Sequence, residues 1–412
     1  MDRGGTGKST LLKHILAKVR LSGKIALAVA SSGIASLLFM GGRTAHSTFK
    51  IPLKLNDTSR CSIFKQSHLK GLIQKASVVI WDEAPMTHRH AFDAVDRSLR
   101  DLMDNDDEPF GGKVFVLSGD FRQILPVVVR GTPAQTIDDW LKSSTLWPKF
   151  QQLHLRENMR GRHEINPALG PNCIKIPKDM LIENPVEELS DDGEDEDIRP
   201  GAIPRGLTRM VDEMDADINN PEIANDEYFA NRTILTTTNA VVQRINEAVA
   251  QRLEGVSQEY LSTDSVEEDE EVNFFEQEVL HTVNERVYAL SNSSPHVIHA
   301  TIMTGERQGQ HVLIPRIVFI SDGEAREFPF RLRRKQFPVQ PAFAMTINKA
   351  QGQTVQNLGL YLSTPCFSHG QLYVALLRVT SRSKLKALIE YPQLEEEDGV
   401  YTDNIVYRQF FE

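Results

Sequence analysis

Residues 4–10 read GGTGKST and lead directly into an apolar stretch. A glycine-rich turn closed by Lys-Ser and followed by a helix cradles phosphates. Backbone N–H groups surround the nucleotide, the lysine reaches its terminal phosphates, and the hydroxyl ligates magnesium. Gly4, Gly5, Thr6, Gly7, Lys8, Ser9 and Thr10 are therefore the nucleotide-binding candidates, with Lys8 catalytic and Ser9 a metal ligand. Leu11 and Leu12 open the helix whose positive end would face the phosphates. Such a loop belongs between a strand and a helix, which commits the chain to an α/β fold. The place of the pattern's first glycine is held by Asp2, and no apolar strand precedes the turn in this sequence. The expectation is a nucleotide-binding domain that lacks its P-loop strand.

The chain has 412 residues, enough for two or three cores. No apolar stretch is long enough to span a membrane, and no signal-peptide pattern is visible. Cys61, Cys173 and Cys366 are far apart, which argues against a thiolate zinc site. The net charge of −10 speaks against a polyanion partner only superficially, because charge is unevenly distributed. EELSDDGEDED at 187–197 and EEDEE at 267–271 read as solvated loops, whereas FRLRRKQF at 330–337 interleaves cations with aromatics.

The first 160 residues alternate helical and strand-like segments, as a doubly wound domain does. KIALAVASS (24–32), SVVIWDEAPM (77–86) and KVFVLSGDFRQILPVV (113–128) are strands expected to be buried on both faces. The last two end in acidic and polar residues, where ligand-contacting groups of open α/β sheets sit. Residues 161–230 read as a polar, acidic insert or linker. A second α/β unit is expected from 231–265 and 340–395, interrupted by a module at 266–339 and followed by a tail at 396–412. Two such units suggest a cleft between them.

WDEAPM adds the acidic strand end that a phosphate cradle needs. Asp82 can hold magnesium beside Ser9, and Glu83 can polarise an attacking water as general base. Taken alone, the pair would read as a helix cap. Gln123, in GDFRQILPV, can orient water or sense a γ-phosphate, having both a donor and an acceptor. Arg160 and Arg378 are arginine candidates for the far side of the cleft, although surface ion pairs are an alternative for each. Thr44 and His46 after one strand, and Asn348, Lys349 and Gln351 in TINKAQGQT, offer groups that hold phosphates and sugars without reading bases.

In sequence order GGTGKST, ASSGIA, GGRTAHSTF, WDEAPM, GDFRQILPV, LHLRENMR, TILTTTN, FAMTINKAQGQTV and HGQLYVALLRVTS resemble the Pif-type DNA helicases of superfamily one, in particular the version carried by Helitron-type transposable elements. The resemblance covers about 4–160 and 230–390. It implies two RecA-like P-loop domains with parallel sheets and a motor that uses ATP and magnesium to move 5′-to-3′ on single-stranded DNA and open tailed duplexes. It also implies roles in DNA repair, recombination and telomere maintenance, and residence in the nucleus. By position, Lys8, Ser9, Asp82, Glu83, Gln123, Arg160 and Arg378 fall to the ATPase centre, and Thr44, His46, Asn348, Lys349 and Gln351 to loops associated with DNA.

The sequence departs from the family at the missing P-loop strand, after Arg160, and near 272–300, where a strand-rich module is shortened. Leu377 also stands before Arg378 where the family has serine. These departures lead to the expectation that strand separation by these residues alone is undetectable. The alternative reading is a decayed, non-enzymatic nucleotide- or DNA-binding remnant.

Overall fold

The computed structural model describes residues 7–126, 128, 131–153, 172–183, 205–254, 260, 262–266, 288–294, 296–303, 308–320 and 332–407. Arg160 and Gly4, Gly5 and Thr6 lie outside the described residues, as do both acidic runs.

The first domain is a parallel sheet of β1 (Ile25–Ala30), β2 (Arg43–Thr44), β3 (Ala76–Asp82) and β4 (Val114–Leu117), in the order β2-β1-β3-β4. Alternate side chains of β3 serve opposite faces. Val78 and Ile80 pack with Leu12 and Leu16 of the helix Lys8–Leu21, while Val79 and Trp81 pack with Phe92, Val95 and Leu99 of the helix Arg89–Met103. Each such buried side chain contributes roughly 1.5–3 kcal/mol, so a continuous apolar strand is what this position requires. Strand β4 is the last of this sheet among the described residues, and its Val114 is exposed.

Strand β5 (Cys173–Pro177) follows, then β6 (Arg232–Thr236) of the second domain. Strand β7 (Thr263–Val266) ends the range expected to belong to the second α/β unit. The segment expected to be a reduced module, 266–339, carries β8 (Tyr288–Ser293), β9 (Val297–Ile302), β10 (His311–Pro315), β11 (Ile317–Ile320) and β12 (Leu332–Gln336). These form two antiparallel three-stranded sheets, β10-β9-β8 and β11-β12-β7, so the described part of this region is strand-rich. The basic run supplies β12, with Arg333 and Lys335 exposed. The second domain is completed by β13 (Ala344–Thr346), β14 (Asn357–Leu362) and β15 (Leu385–Ile389), a parallel sheet in the order β13-β6-β14-β15.

Two sequence expectations need correction. Residues 161–230 are not all insert. The helix Arg205–Met214 buries Leu207, Met210, Val211 and Met214 against Ile234, Tyr361 and Leu388 of the second domain. Nor is 396–412 simply a tail, because β16 (Leu394–Glu396) and β17 (Gly399–Asp403) form an antiparallel sheet with β5. In that sheet Tyr401 pairs with Lys175, and the Lys175 ammonium lies over the Tyr401 ring and beside Glu396 and Asp398. Among the described residues no helix is long and apolar enough to cross a membrane. Cys61, Cys173 and Cys366 are free thiols, the last two buried.

Candidate nucleotide and nucleic-acid site

Gly7 caps the first helix with φ of 79°, so Lys8 starts the helix at the carboxyl end of the sheet. There it meets the end of β3: Lys8 Nζ is 3.2 Å from Asp82 Oδ1 and 3.0 Å from Glu83 Oε1. Burial works to lower the Lys8 ammonium, but the Asp82 and Glu83 charges and their hydrogen bonds outweigh it and leave the pKa raised. The lysine is held charged in a half-buried position, as a phosphate ligand needs to be. Asp82 and Glu83 are 1% and 5% exposed, too buried for an ordinary surface helix cap. Glu83 stands at φ 52°, a left-handed conformation that a glutamate adopts only under constraint. Its N–H donates to Asp82 Oδ1 at 2.9 Å, and Ala84 N–H donates to the Ser118 carbonyl, which ties the β3 turn to the β4 end.

Gln123 is buried in the loop after β4, and its Oε1 has no hydrogen-bond partner among the described residues. A buried acceptor without a partner is costly, and an occupant bearing a donor, such as a water on a phosphate, would satisfy it. The second domain reaches this centre directly. Gln351 Nε2 donates to Glu83 Oε2 at 3.2 Å, and Gln351 Oε1 is likewise buried without a partner among the described residues. Both domains therefore contribute to one site.

Arg378 is buried and donates through Nε to the Val374 carbonyl and through Nη1 to the carbonyls of Ala350 and Gln353. It anchors the loop that carries Gln351. Asn348 Oδ1 accepts from Gln371 Nε2 in that region, and Lys349 is exposed. Thr44 pairs with Ala30 at the end of the first sheet, and its hydroxyl accepts from Ser47 N–H; His46 follows in the same short helix. Thr44 thus has a structural role as a cap, and its helix starts on the same sheet end as Asp82.

Three residues that sequence reasoning passed over join the domains at the same level. Tyr373 O–H donates to Asp120 Oδ2 at 3.0 Å, and His369 Nε2 bonds the Phe121 carbonyl at 2.9 Å. Burial raises the Asp120 carboxyl and lowers the His369 imidazole. Asp120 stood inside GDFRQ and the other two inside HGQLY, but only their pairing across the cleft marks them.

His88, His90 and Asp139 form a second cluster, with ligand-type atoms within 4.8 Å of one another. His88 Nδ1 accepts the His90 backbone N–H as a helix cap, so Nε2 carries the proton directed at Asp139 Oδ2, 3.0 Å away. A metal at Nε2 would have to move that proton onto the capping nitrogen. The cluster works as a helix start.

A PIF1-like helicase family model matches residues 1–173. The chain is 24% identical over 429 residues to the ATP-dependent DNA helicase Pif1 of Psychrobacter, an alignment covering 93% of this chain and 64% of that protein. It is 24% identical over 442 residues to the enzyme of the same name from Campylobacter jejuni, covering 98% and 90%. Over residues 1–173 the chain is similar to the PIF1-like helicases. Its fold matches that of the Bacteroides Pif1 helicase solved with ADP-AlF3 and single-stranded DNA, with a TM-score of 0.66 and 21% identity over 100% of this chain and 90% of the other. The Pif1 helicase of Candida albicans matches with a TM-score of 0.55 at 19% identity, over 95% and 90%. The expected pair of RecA-like domains with parallel sheets is the fold observed.

Proposed function

We propose that the chain is an ATP-dependent DNA helicase that couples ATP hydrolysis to 5′-to-3′ movement on single-stranded DNA and to opening of tailed duplexes, in repair, recombination and telomere maintenance. The observation that carries this reading is the junction of Lys8, Asp82 and Glu83 with Gln351 of the other domain. A switch ATPase needs only the first three. A motor needs its base to sense a second, moving domain.

Lys8, freed from the two carboxylates by arriving nucleotide, would take the terminal phosphate. Glu83 would then accept the proton of the attacking water, which Gln123 would orient. Ser9 and Asp82 are hard oxygen donors suited to magnesium, which when bound supplies neutralising charge at the phosphates. In the present arrangement Arg378 holds the loop that carries Gln351, and facing the nucleotide would require exchange of its carbonyl partners. Arg160 is proposed from the family resemblance alone.

For DNA, we assign the polar residues Thr44, His46, Asn348, Lys349 and Gln351 to backbone contact, which is sequence-tolerant and salt-sensitive. The non-enzymatic alternative is disfavoured, because a decayed chain has no reason to keep two buried carboxylates, a half-buried lysine and two buried glutamines together. Strand displacement on 5′-tailed and 3′-tailed duplexes with magnesium and ATP tests the proposal. Because the Lys8–Asp82–Glu83–Gln351 junction is assembled and the described part of the inserted region is strand-rich, this reading replaces the expectation of undetectable strand separation. ATP-dependent opening of the 5′-tailed substrate only is expected, and opening of neither, despite DNA binding, would count against it.

A further inference from the structure

The last described residues run back across the second domain toward the first. Asn404 N–H donates to the Asn172 carbonyl at 2.7 Å, and Gly370 N–H donates to the Ile405 carbonyl at 3.0 Å. Tyr407 N–H then donates to His369 Nδ1 at 2.8 Å. That bond fixes the tautomer: with Nδ1 accepting, the proton sits on Nε2 and is donated to the Phe121 carbonyl of the first domain at 2.9 Å. The Tyr407 ring stacks on His369 with centroids 5.3 Å apart, and it packs on the cluster of Phe121, Leu125 and Trp140.

The loop held in this way is the one that carries Gln123. Tyr373 holds Asp120 beside it, and a Cβ on Gly370 would lie 2.1 Å from the Arg122 carbonyl oxygen and 2.8 Å from the Gln123 carbonyl carbon. The backbone from Asp120 to Gln123 therefore rests on His369, Gly370 and Tyr373 with no slack, and His369 is itself set by Tyr407.

We propose that the segment Asn404–Tyr407 is a positioning strap, with Tyr407 acting through His369 to hold the Asp120–Gln123 loop in its hydrolysis-competent place. Tyr407 touches neither nucleotide nor water in this scheme. The inference rests on the ATPase reading above and adds to it a residue outside every recognised motif.

The test is steady-state ATP hydrolysis by the full chain with saturating single-stranded DNA, for Tyr407→Ala, Tyr407→Phe, Gln123→Ala and the double variant Tyr407→Ala/Gln123→Ala. Misplacing a group that orients a reactant by about 1 Å costs up to about a hundredfold. Tyr407→Ala keeps the backbone N–H on His369 Nδ1 but removes the ring that stacks on His369 and packs on Phe121, Leu125 and Trp140. It is therefore expected to lower kcat about tenfold or more, with KM for ATP within about twofold because the P-loop is untouched. Tyr407→Phe keeps the ring and should restore kcat. In the Gln123→Ala background the Tyr407→Ala change should cost nothing further, since interacting sites are non-additive. If Tyr407→Ala does not fold, as judged by its circular dichroism melt, His369→Gln replaces it in the same cycle with the same expectation. Wild-type kcat in the strap variant, or the same fold-loss with and without Gln123, overturns the strap. A Gln123→Ala enzyme that hydrolyses ATP at the wild-type rate counts separately against the role given to Gln123.

Discussion

Gln351 of the second domain hydrogen-bonds the carboxylate of Glu83 in the first, at 3.2 Å, in a setting where both side chains are almost fully buried. Gln351 lies in the loop assigned to DNA, and Glu83 is the proposed base. One hydrogen bond thus links the group that would feel the DNA to the group that would activate water. Lys8 occupies the other carboxylate oxygen. Before nucleotide binds, the base is engaged from both sides.

Gln351→Ala removes the domain-spanning bond and leaves the P-loop intact. We expect DNA stimulation of ATP hydrolysis to fall by about tenfold or more, in line with roughly 1.5–3 kcal/mol for a hydrogen bond to a charged group, with DNA-independent hydrolysis unchanged or raised. Measuring ATPase rates with and without oligonucleotide checks this. Equal stimulation in variant and wild type would remove Gln351 from the coupling.

Gly370→Ala should disturb the domain junction, because the residue sits at φ 69° and its new Cβ would meet the Arg122 carbonyl at 2.1 Å. Backbone on one side and a left-handed conformation on the other leave no cheap adjustment. We expect loss of DNA-stimulated turnover with both domain cores still folded. Limited proteolysis would show this as increased cleavage between the domains while each resists digestion.

How much of this was legible in the sequence depended on range. Lys8, Asp82 and Glu83 announce themselves by local motifs, and the structure brings them together. Gln351 was visible as a polar strand-end residue, but nothing in its neighbourhood says that it reaches Glu83 across 268 positions. The Tyr373–Asp120 bond is hidden for the same reason. The helix Arg205–Met214 was readable in principle, because Leu207, Met210, Val211 and Met214 keep a helical spacing. The acidic run just before it masked that period and made the region look like linker. The strand pairing of β17 with β5 likewise joins segments whose composition gives no hint of each other.

Asp215 gives a pH prediction outside the active centre. Burial raises its carboxyl to about 6, with Arg232 at 3.9 Å only partly offsetting the effect. A carboxyl raised in the folded state is neutral there below about 6 while the unfolded chain already ionises near 3.8. Stability from this site is therefore full below the lower value and is lost as pH climbs to the upper one. Asp215→Asn should leave stability unchanged near pH 4 and raise it at pH 7, by at most about 3 kcal/mol. Chemical denaturation at the two pH values tests the difference. Equal effects at both would show that the carboxyl is not raised.

Salt should weaken DNA binding, because Lys349 among the proposed contacts would neutralise a phosphate and release its counterion. Fluorescence anisotropy with mixed-sequence single strands is expected to show affinity falling as salt rises, with little dependence on sequence. Salt-independent binding, or tighter binding to blunt duplex than to single strands, would contradict the assignment of Thr44, His46, Asn348 and Lys349 to backbone contact.

The central claim is that Glu83 acts as the base in a site that Lys8 builds and magnesium completes. The most direct measurement pairs nucleotide binding with single-turnover hydrolysis in Glu83→Gln and Lys8→Ala, both with magnesium and single-stranded DNA. Glu83→Gln should bind ATP about as tightly as wild type and lose hydrolysis by about a hundredfold or more; Lys8→Ala should lose affinity and turnover together. Hydrolysis by Glu83→Gln at the wild-type rate would contradict the account.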